Sequence, residues 1–219
     1  TAFTSADILL PKLSQQEMSK WAVVACDQYT SEPQYWEKTA EIAGAAPSAL
    51  KLILPEVYLE APDAEKRISE INSAMAKYLA DGLFEEHKDC LILTVRTQAD
   101  GKVRAGLVGA IDLEQYDYNK GSTSQVRATE ATVASRIPPR VKIRRDADLE
   151  LPHIMILIDD VQKTVIEPLQ AKADSLKKLY DFELMQNGGH LTGYLVDGDD
   201  AKAVFEALDK LADRDDFNR

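Results

Sequence analysis

The chain has 219 residues, 45% of them hydrophobic, which is enough for one large domain or two small ones with an ordinary core and makes disorder the unexpected state. Its 37 acidic residues outnumber its 26 basic ones, and a net charge of -11 with a pI near 4.8 would repel a polyphosphate backbone, so nucleic-acid binding is disfavoured. No apolar run approaches the roughly 18 to 20 residues of a membrane span, and the first ten residues lack a signal-peptide layout, so no membrane association and a cytoplasmic location are expected.

In chain order, Trp21 to Cys26 is short, apolar and β-branched at its centre, and reads as a buried strand that delivers Asp27, Gln28 and Tyr29 into a loop. Thr30, Ser31, Glu32 and Pro33 open a helix that runs to about Ala43 and stops at Gly44. Leu50 to Leu54 is another apolar run. From Asp63 to Leu79 the side chains Ile68, Ile71, Met75, Tyr78 and Leu79 recur at helical spacing, which makes Met75 a core residue, and Asp81-Gly82 ends that helix.

Cys90 to Thr97 and Val103 to Ile111 form a hairpin about Asp100-Gly101, because Asp-Gly supplies the positive φ angles of a tight turn. A looser stretch follows to Ser135, and Pro138-Pro139 starts either a helix or a turn. His153 to Ile158 reads as a fully buried central strand with Asp159 and Asp160 at its end. Lys163 to Tyr180 is expected to be mostly helical, with Pro168 kinking or interrupting it. Phe182 to Met185 and Leu191 to Val196 make a second hairpin about Asn187-Gly188-Gly189, and an amphipathic helix from Asp200 to Leu211 closes the pattern. Without repeats or a clear linker, these elements predict one mixed α/β or α+β unit over 1–219, with hairpins and helices around a mixed sheet.

Chemistry concentrates between Arg127 and Arg145. Arg127, Thr129, Glu130 and Thr132 are followed by Arg136, Arg140, Lys142, Arg144 and Arg145, a local inversion of charge in an acidic protein. Arginine forks pair with phosphate or carboxylate through parallel hydrogen bonds, threonine hydroxyls complete an oxyanion shell, and Glu130 among cations can orient or deprotonate a hydroxyl nucleophile. The plainer reading is a solvated basic face balanced by acids elsewhere. Asp27 could receive an amine or hold magnesium, and Asp159-Asp160 offers another carboxylate pair, although such residues also begin ordinary turns. Asn187, with two glycines and His190, either approaches an anion through backbone N–H groups or is simply a glycine hairpin. His87, His153, His190, Cys26 and Cys90 lack zinc-ligand spacing, so no protein-held metal site is expected, and the cysteines read as reduced, buried residues.

Taken together, several runs resemble the bacterial "domain of unknown function 1015" family. They are Val24 to Thr30 with Tyr35-Trp36, Leu54 to Leu59, Gly106 to Asp112, Arg127 to Glu130 with Ile137 to Lys142, Leu151 to Met155, and Met185 to His190. The resemblance implies a ParB- or sulfiredoxin-like core. For some members it implies small-molecule kinase activity with free serine as acceptor and ATP or pyrophosphate, carried by Mg²⁺, as donor. By that likeness Arg127, Thr129, Glu130 and Arg140 match the family's Arg/His-Glu-Thr region, and Asp27 with Tyr29 matches its early loop. The family's Asp-Gly-Asn/His-His run is missing, since no His follows Asp197-Gly198-Asp199, so the chain is expected to be the N-terminal half of a longer protein. The resulting expectation is an anionic small-molecule site, with Glu130 and Asp27 catalytic and Arg127, Thr129, Arg140, Lys142, Tyr29, Asn187 and His190 binding. Whether it turns over substrate or acts as a non-catalytic metabolite-binding or regulatory module stays open, as does the oligomeric state.

Overall fold

The computed structural model describes residues 1–213 except Ala25 and Thr132; the side chains of Cys26, Asp27 and Arg136 also lie outside the described set. The chain opens with β1 (Phe3–Thr4) and β2 (Ala6–Pro11), then α1 (Gln15–Trp21). Ser14 and Glu17 form a reciprocal capping box at the start of α1, satisfying two N–H groups that the first turn leaves unpaired. This Ser-x-x-Glu signature recruits Trp21 to a helix, and no strand forms among the described residues of the span from Trp21 to Cys26 where one was expected. Instead the chain passes through a buried Val24 into a 3-10 turn over Cys26–Tyr29.

Helix α2 (Pro33–Ala43) carries Pro in its first turn and ends at Gly44, whose φ of 53° suits a residue without Cβ. Two 3-10 turns, Ala49–Leu52 and Glu56–Tyr58, lead to α3 (Ala64–Ala80), which buries Ile71, Met75 and Tyr78 as the spacing predicts, whereas Leu79 of the same expected stripe is exposed. Next come β3 (Phe84–Thr97), β4 (Val103–Val108) and β5 (Ala110–Ile111), with the expected turn at Gly101, φ 82°. Short β6 (Tyr116–Asp117) and β7 (Val126–Arg127) precede α4 (Ile137–Arg145), α5 (Glu167–Ala171), β8 (Lys178–Leu184), β9 (Gly189–Val196) and α6 (Gly198–Ala212).

The main sheet is antiparallel in every pairing, in the order β2-β3-β9-β8 with β4 also on β3. Among the described residues, parallel pairing occurs only between β6 and β7. Because strand side chains alternate, β3 sends Leu91 and Leu93 to one face, where they meet Val196, Leu169 and the Ala201, Val204 and Leu211 side of α6. On the opposite face, Phe182 and Leu184 pack with Met18, Trp21, Ile71, Met75 and Tyr78 from α1 and α3. A third cluster, Val24, Tyr35, Trp36 and Ile53, sits around α2. The expected mixed α/β class therefore holds, as helices on both faces of one sheet.

Two expectations in the second half need correction. His153 to Ile158 is not a buried central strand: the segment forms no ladder among the described residues and its apolar side chains are exposed. The central position is taken by β3, whose own continuous run Cys90-Leu91-Ile92-Leu93 is flanked by β4 and β9, and periodicity alone cannot rank two such runs. Nor is Lys163 to Tyr180 mostly helical. Pro168 stands in the first turn of the five-residue α5 rather than kinking a longer helix, and Tyr180 belongs to β8.

Candidate functional site

The basic residues expected to meet an anion lie mainly on α4. Positions 137, 140, 141, 144 and 145 share one side of this helix, and Ile137, Arg140, Val141, Arg144 and Arg145 line a shallow, open depression of about 380 Å³. No residue of α4 is fully buried; Ile143 reaches the α1–α3 core from its other side. The helix is tied down by charge. Nη2 of Arg140 donates to both carboxylate oxygens of Glu56, at 2.9 and 3.0 Å. Lys142 pairs with Glu65 of α3, and Arg144 pairs with Glu150 while donating to the Pro152 carbonyl at 2.8 Å.

Glu56 connects α4 to the early loop, because the 56–58 turn packs against the 26–29 turn. That turn is built around aromatic contacts. Tyr29 stacks on Tyr35 with ring centroids 3.8 Å apart, and Trp36 Nε1 donates to the Tyr29 carbonyl at 3.1 Å. Burial pushes the Tyr35 phenol above its ordinary pKa. The catalytic expectation for Asp27 lies outside the described residues, as do those for Thr132 and the Arg136 side chain.

The Met185–Gly189 turn also packs on α2, at Tyr35 and Thr39. Gln186 and Asn187 adopt φ values of 53° and 60°, and Gly188 N donates to the Met185 carbonyl at 3.1 Å, closing the tight turn that joins β8 to β9. Gln186 Nε2 donates to the Tyr35 carbonyl at 3.0 Å and to Thr39 Oγ1 at 2.6 Å. Arg96 clamps the turn by donating from Nε and Nη2 to the Gly188 carbonyl, at 3.0 and 2.8 Å. The two glycines serve close packing: a Cβ on Gly188 would sit 2.9 Å from that of Leu184, and one on Gly189 would fall 2.1 Å from the Thr97 carbonyl.

The structure thus brings Tyr29 and the Asn187 turn onto α2, and brings Arg140 to the 26–29 turn through Glu56. It separates others. Lys142 faces α3, and both ring nitrogens of His190 face carboxylates of β8, Nδ1 at 2.7 Å from Glu183 and Nε2 at 2.6 Å from Asp181. The Glu183 contact chiefly raises the His190 pKa; burial opposes it, and the Asp181 contact adds to the rise. Arg127 lies on β7 opposite Asp117, and Thr129 and Glu130 follow on an exposed bend. Asp160 accepts from the backbone of Thr164 and Val165 at 2.6 and 2.9 Å, a local capping role. Among the described residues no group of three or more metal-ligating side chains gathers.

Sequence reading missed Glu56, Glu65, Arg96 and Gln186. Arg96 carried a usable signal, a cation within an otherwise apolar strand, and Glu56 stood inside one of the family-like runs. Neither partner could be read from spacing, since Arg140 and Glu56 are 84 residues apart.

Fold and site together define an acidic, mixed α/β protein that carries a basic surface helix latched by carboxylates. The chain belongs to the family described as protein of unknown function DUF1015, which matches residues 11–214. No curated protein and no solved structure matches it, so the ParB- or sulfiredoxin-like core remains an implication of the resemblance. No helix among the described residues is long and apolar enough to cross a membrane.

Proposed function

We propose that the chain handles a phosphorylated or otherwise anionic small molecule along the outer face of α4, as part of a phosphotransferase with a serine-like acceptor. The observation that carries this reading is the Glu56–Arg140 latch. It occupies one terminal nitrogen of the guanidinium and leaves Nη1 and Nε for phosphoryl oxygens beside the 26–29 turn. When the ligand binds, Arg127 of β7 and Thr129 and Glu130 of the exposed bend after it close toward α4, where Arg127 and Thr129 add donors. Glu130 takes the proton of the acceptor hydroxyl as its oxygen bonds to the terminal phosphorus; the bridging P–O bond of ATP or pyrophosphate breaks, and ADP or phosphate leaves. Magnesium would arrive on the donor's phosphates, where it usually keeps several waters.

Incubating the chain with Mg²⁺, serine and either ATP or pyrophosphate should give a phosphoserine signal by ³¹P NMR. Glu130→Gln should abolish that signal while leaving donor binding intact, and Arg140→Ala should weaken binding roughly tenfold. Binding without product contradicts the kinase reading. That outcome would leave a non-catalytic metabolite-binding module, an alternative favoured by the carboxylates already seated on Arg140, Lys142 and Arg144.

A further inference from the structure

Away from α4, the structure holds a buried hydroxyl with nothing to bond. Tyr35 is 8% exposed, and its phenolic oxygen has no hydrogen-bond partner among the described residues. Buried polar groups are normally paired, so such an orphan marks a place where a ligand or water completes the bond. Burial chiefly raises the Tyr35 pKa; Thr39 and the Val24 backbone lie close enough to lower it without making a hydrogen bond to the oxygen.

Three elements meet at this residue. Val24 packs with Tyr35 beside α2, Gln186 donates to the Tyr35 carbonyl at 3.0 Å, and a Cβ on Gly188 would lie 3.3 Å from Val24. Arg96 arrives from β3, on the strand face opposite Leu91, Leu93 and Val95, and gives Nε and Nη2 to the Gly188 carbonyl. Its Nη1 has no partner among the described residues, the side chain is only partly buried, and its charge reaches the Tyr35 phenol. The turn itself is held in an uncommon shape, since Gln186 keeps a left-handed φ of 53° while its side chain is pinned by Tyr35 and Thr39. Backbone strain kept in place by surrounding bonds gathers where ligands are held.

We infer that Arg96 and the Tyr35 hydroxyl form a carboxylate subsite, which takes the acid group of the serine-like acceptor. A guanidinium edge and a hydroxyl offer donors to the two oxygens of a carboxylate, and one cation balances its single negative charge. A phosphate dianion would leave uncompensated charge in a half-buried place, so the donor's phosphates stay at α4. Tyr29, stacked on the Tyr35 ring, is the group that gives way for the ligand to reach the hydroxyl. The inference rests on the proposed function for the choice of a serine-like ligand; the subsite itself rests on Arg96 and Tyr35.

Calorimetric titration of the 219-residue chain with L-serine tests this, against 2-aminoethanol, which is the same molecule without its carboxylate. L-Serine should bind, and 2-aminoethanol should bind at least about tenfold more weakly. Tyr35→Phe keeps the stacked ring and should weaken L-serine about tenfold, while its thermal midpoint stays the same or rises because the hydroxyl has no hydrogen bond to lose. Equal affinity for the two probes, no L-serine binding at about 10 mM, or a Tyr35→Phe variant that keeps its affinity or loses stability each overturns the subsite. L-Serine binding that Tyr35→Phe weakens, with no phosphoserine formed on adding Mg²⁺ and ATP or pyrophosphate, overturns the phosphotransfer reading and leaves the subsite standing.

Discussion

The sheet with α1, α3 and α6 and the region from β6 to Asp160 are built on different physics. In the first, Leu91, Leu93, Met75 and Val196 are essentially inaccessible, and burial of apolar surface is the dominant stabilising force. In the second, α4 buries no residue fully and is fastened by Arg140–Glu56, Lys142–Glu65 and Arg144–Glu150, while Ile154 to Leu157 faces water. Exposed ion pairs contribute about 1 kcal/mol or less each, and among the described residues only the partly buried Ile143, Ala147, Leu149 and Leu151 join this region to the α1–α3 core, so it is held less firmly than the sheet.

The sharpest way to break this contrast is to truncate a leucine in each region. Leu93→Ala should cost about 3 kcal/mol in denaturant unfolding, through lost transfer free energy and a cavity, whereas Leu157→Ala should change stability by less than about 0.5 kcal/mol. Gly189→Ala should come next, at about 2 kcal/mol, since its φ of 94° disfavours a side chain and the new Cβ would collide with the Thr97 carbonyl. Arg140→Ala should cost about 1 kcal/mol by removing the partner of the half-buried Glu56, an effect that shrinks in high salt.

The smallest effect is a pH dependence at the edge of the sheet. Because the His190 pKa is raised in the folded state, the contribution of its imidazolium is complete below the ordinary value of 6.5 and fades as pH rises through the higher folded value. Asp181 behaves oppositely. Lys178 first and His190 second hold its pKa below 3.8, so its contribution is complete above that value and is lost as pH falls through the lower folded one. His190→Gln should therefore flatten the stability profile above pH 6.5, by about 0.5 kcal/mol given its exposure.

Legibility in the sequence follows the same divide. The α3 stripe, the Asp100-Gly101 hairpin, the β8–β9 turn and α6 were readable because period and turn chemistry are local properties. The placement of His153 to Ile158 was not, since an apolar run states that it seeks cover without stating from where. At the site, the basic cluster was visible, but the carboxylates that occupy it lie on α3 and the 56–58 turn, and only the tertiary fold brings them together. Trp21 shows a different limit: its apolar context suggested a strand, yet Ser14 and Glu17 had already set a helix.

The central claim is that an anion settles on the charge-fastened region while the sheet stays indifferent. Hydrogen exchange with and without Mg²⁺–pyrophosphate measures this directly. The account predicts slower exchange across 126–145 and no change in β3 or β9. Unaltered exchange in 126–145 at saturating pyrophosphate, or protection appearing only elsewhere, would contradict it.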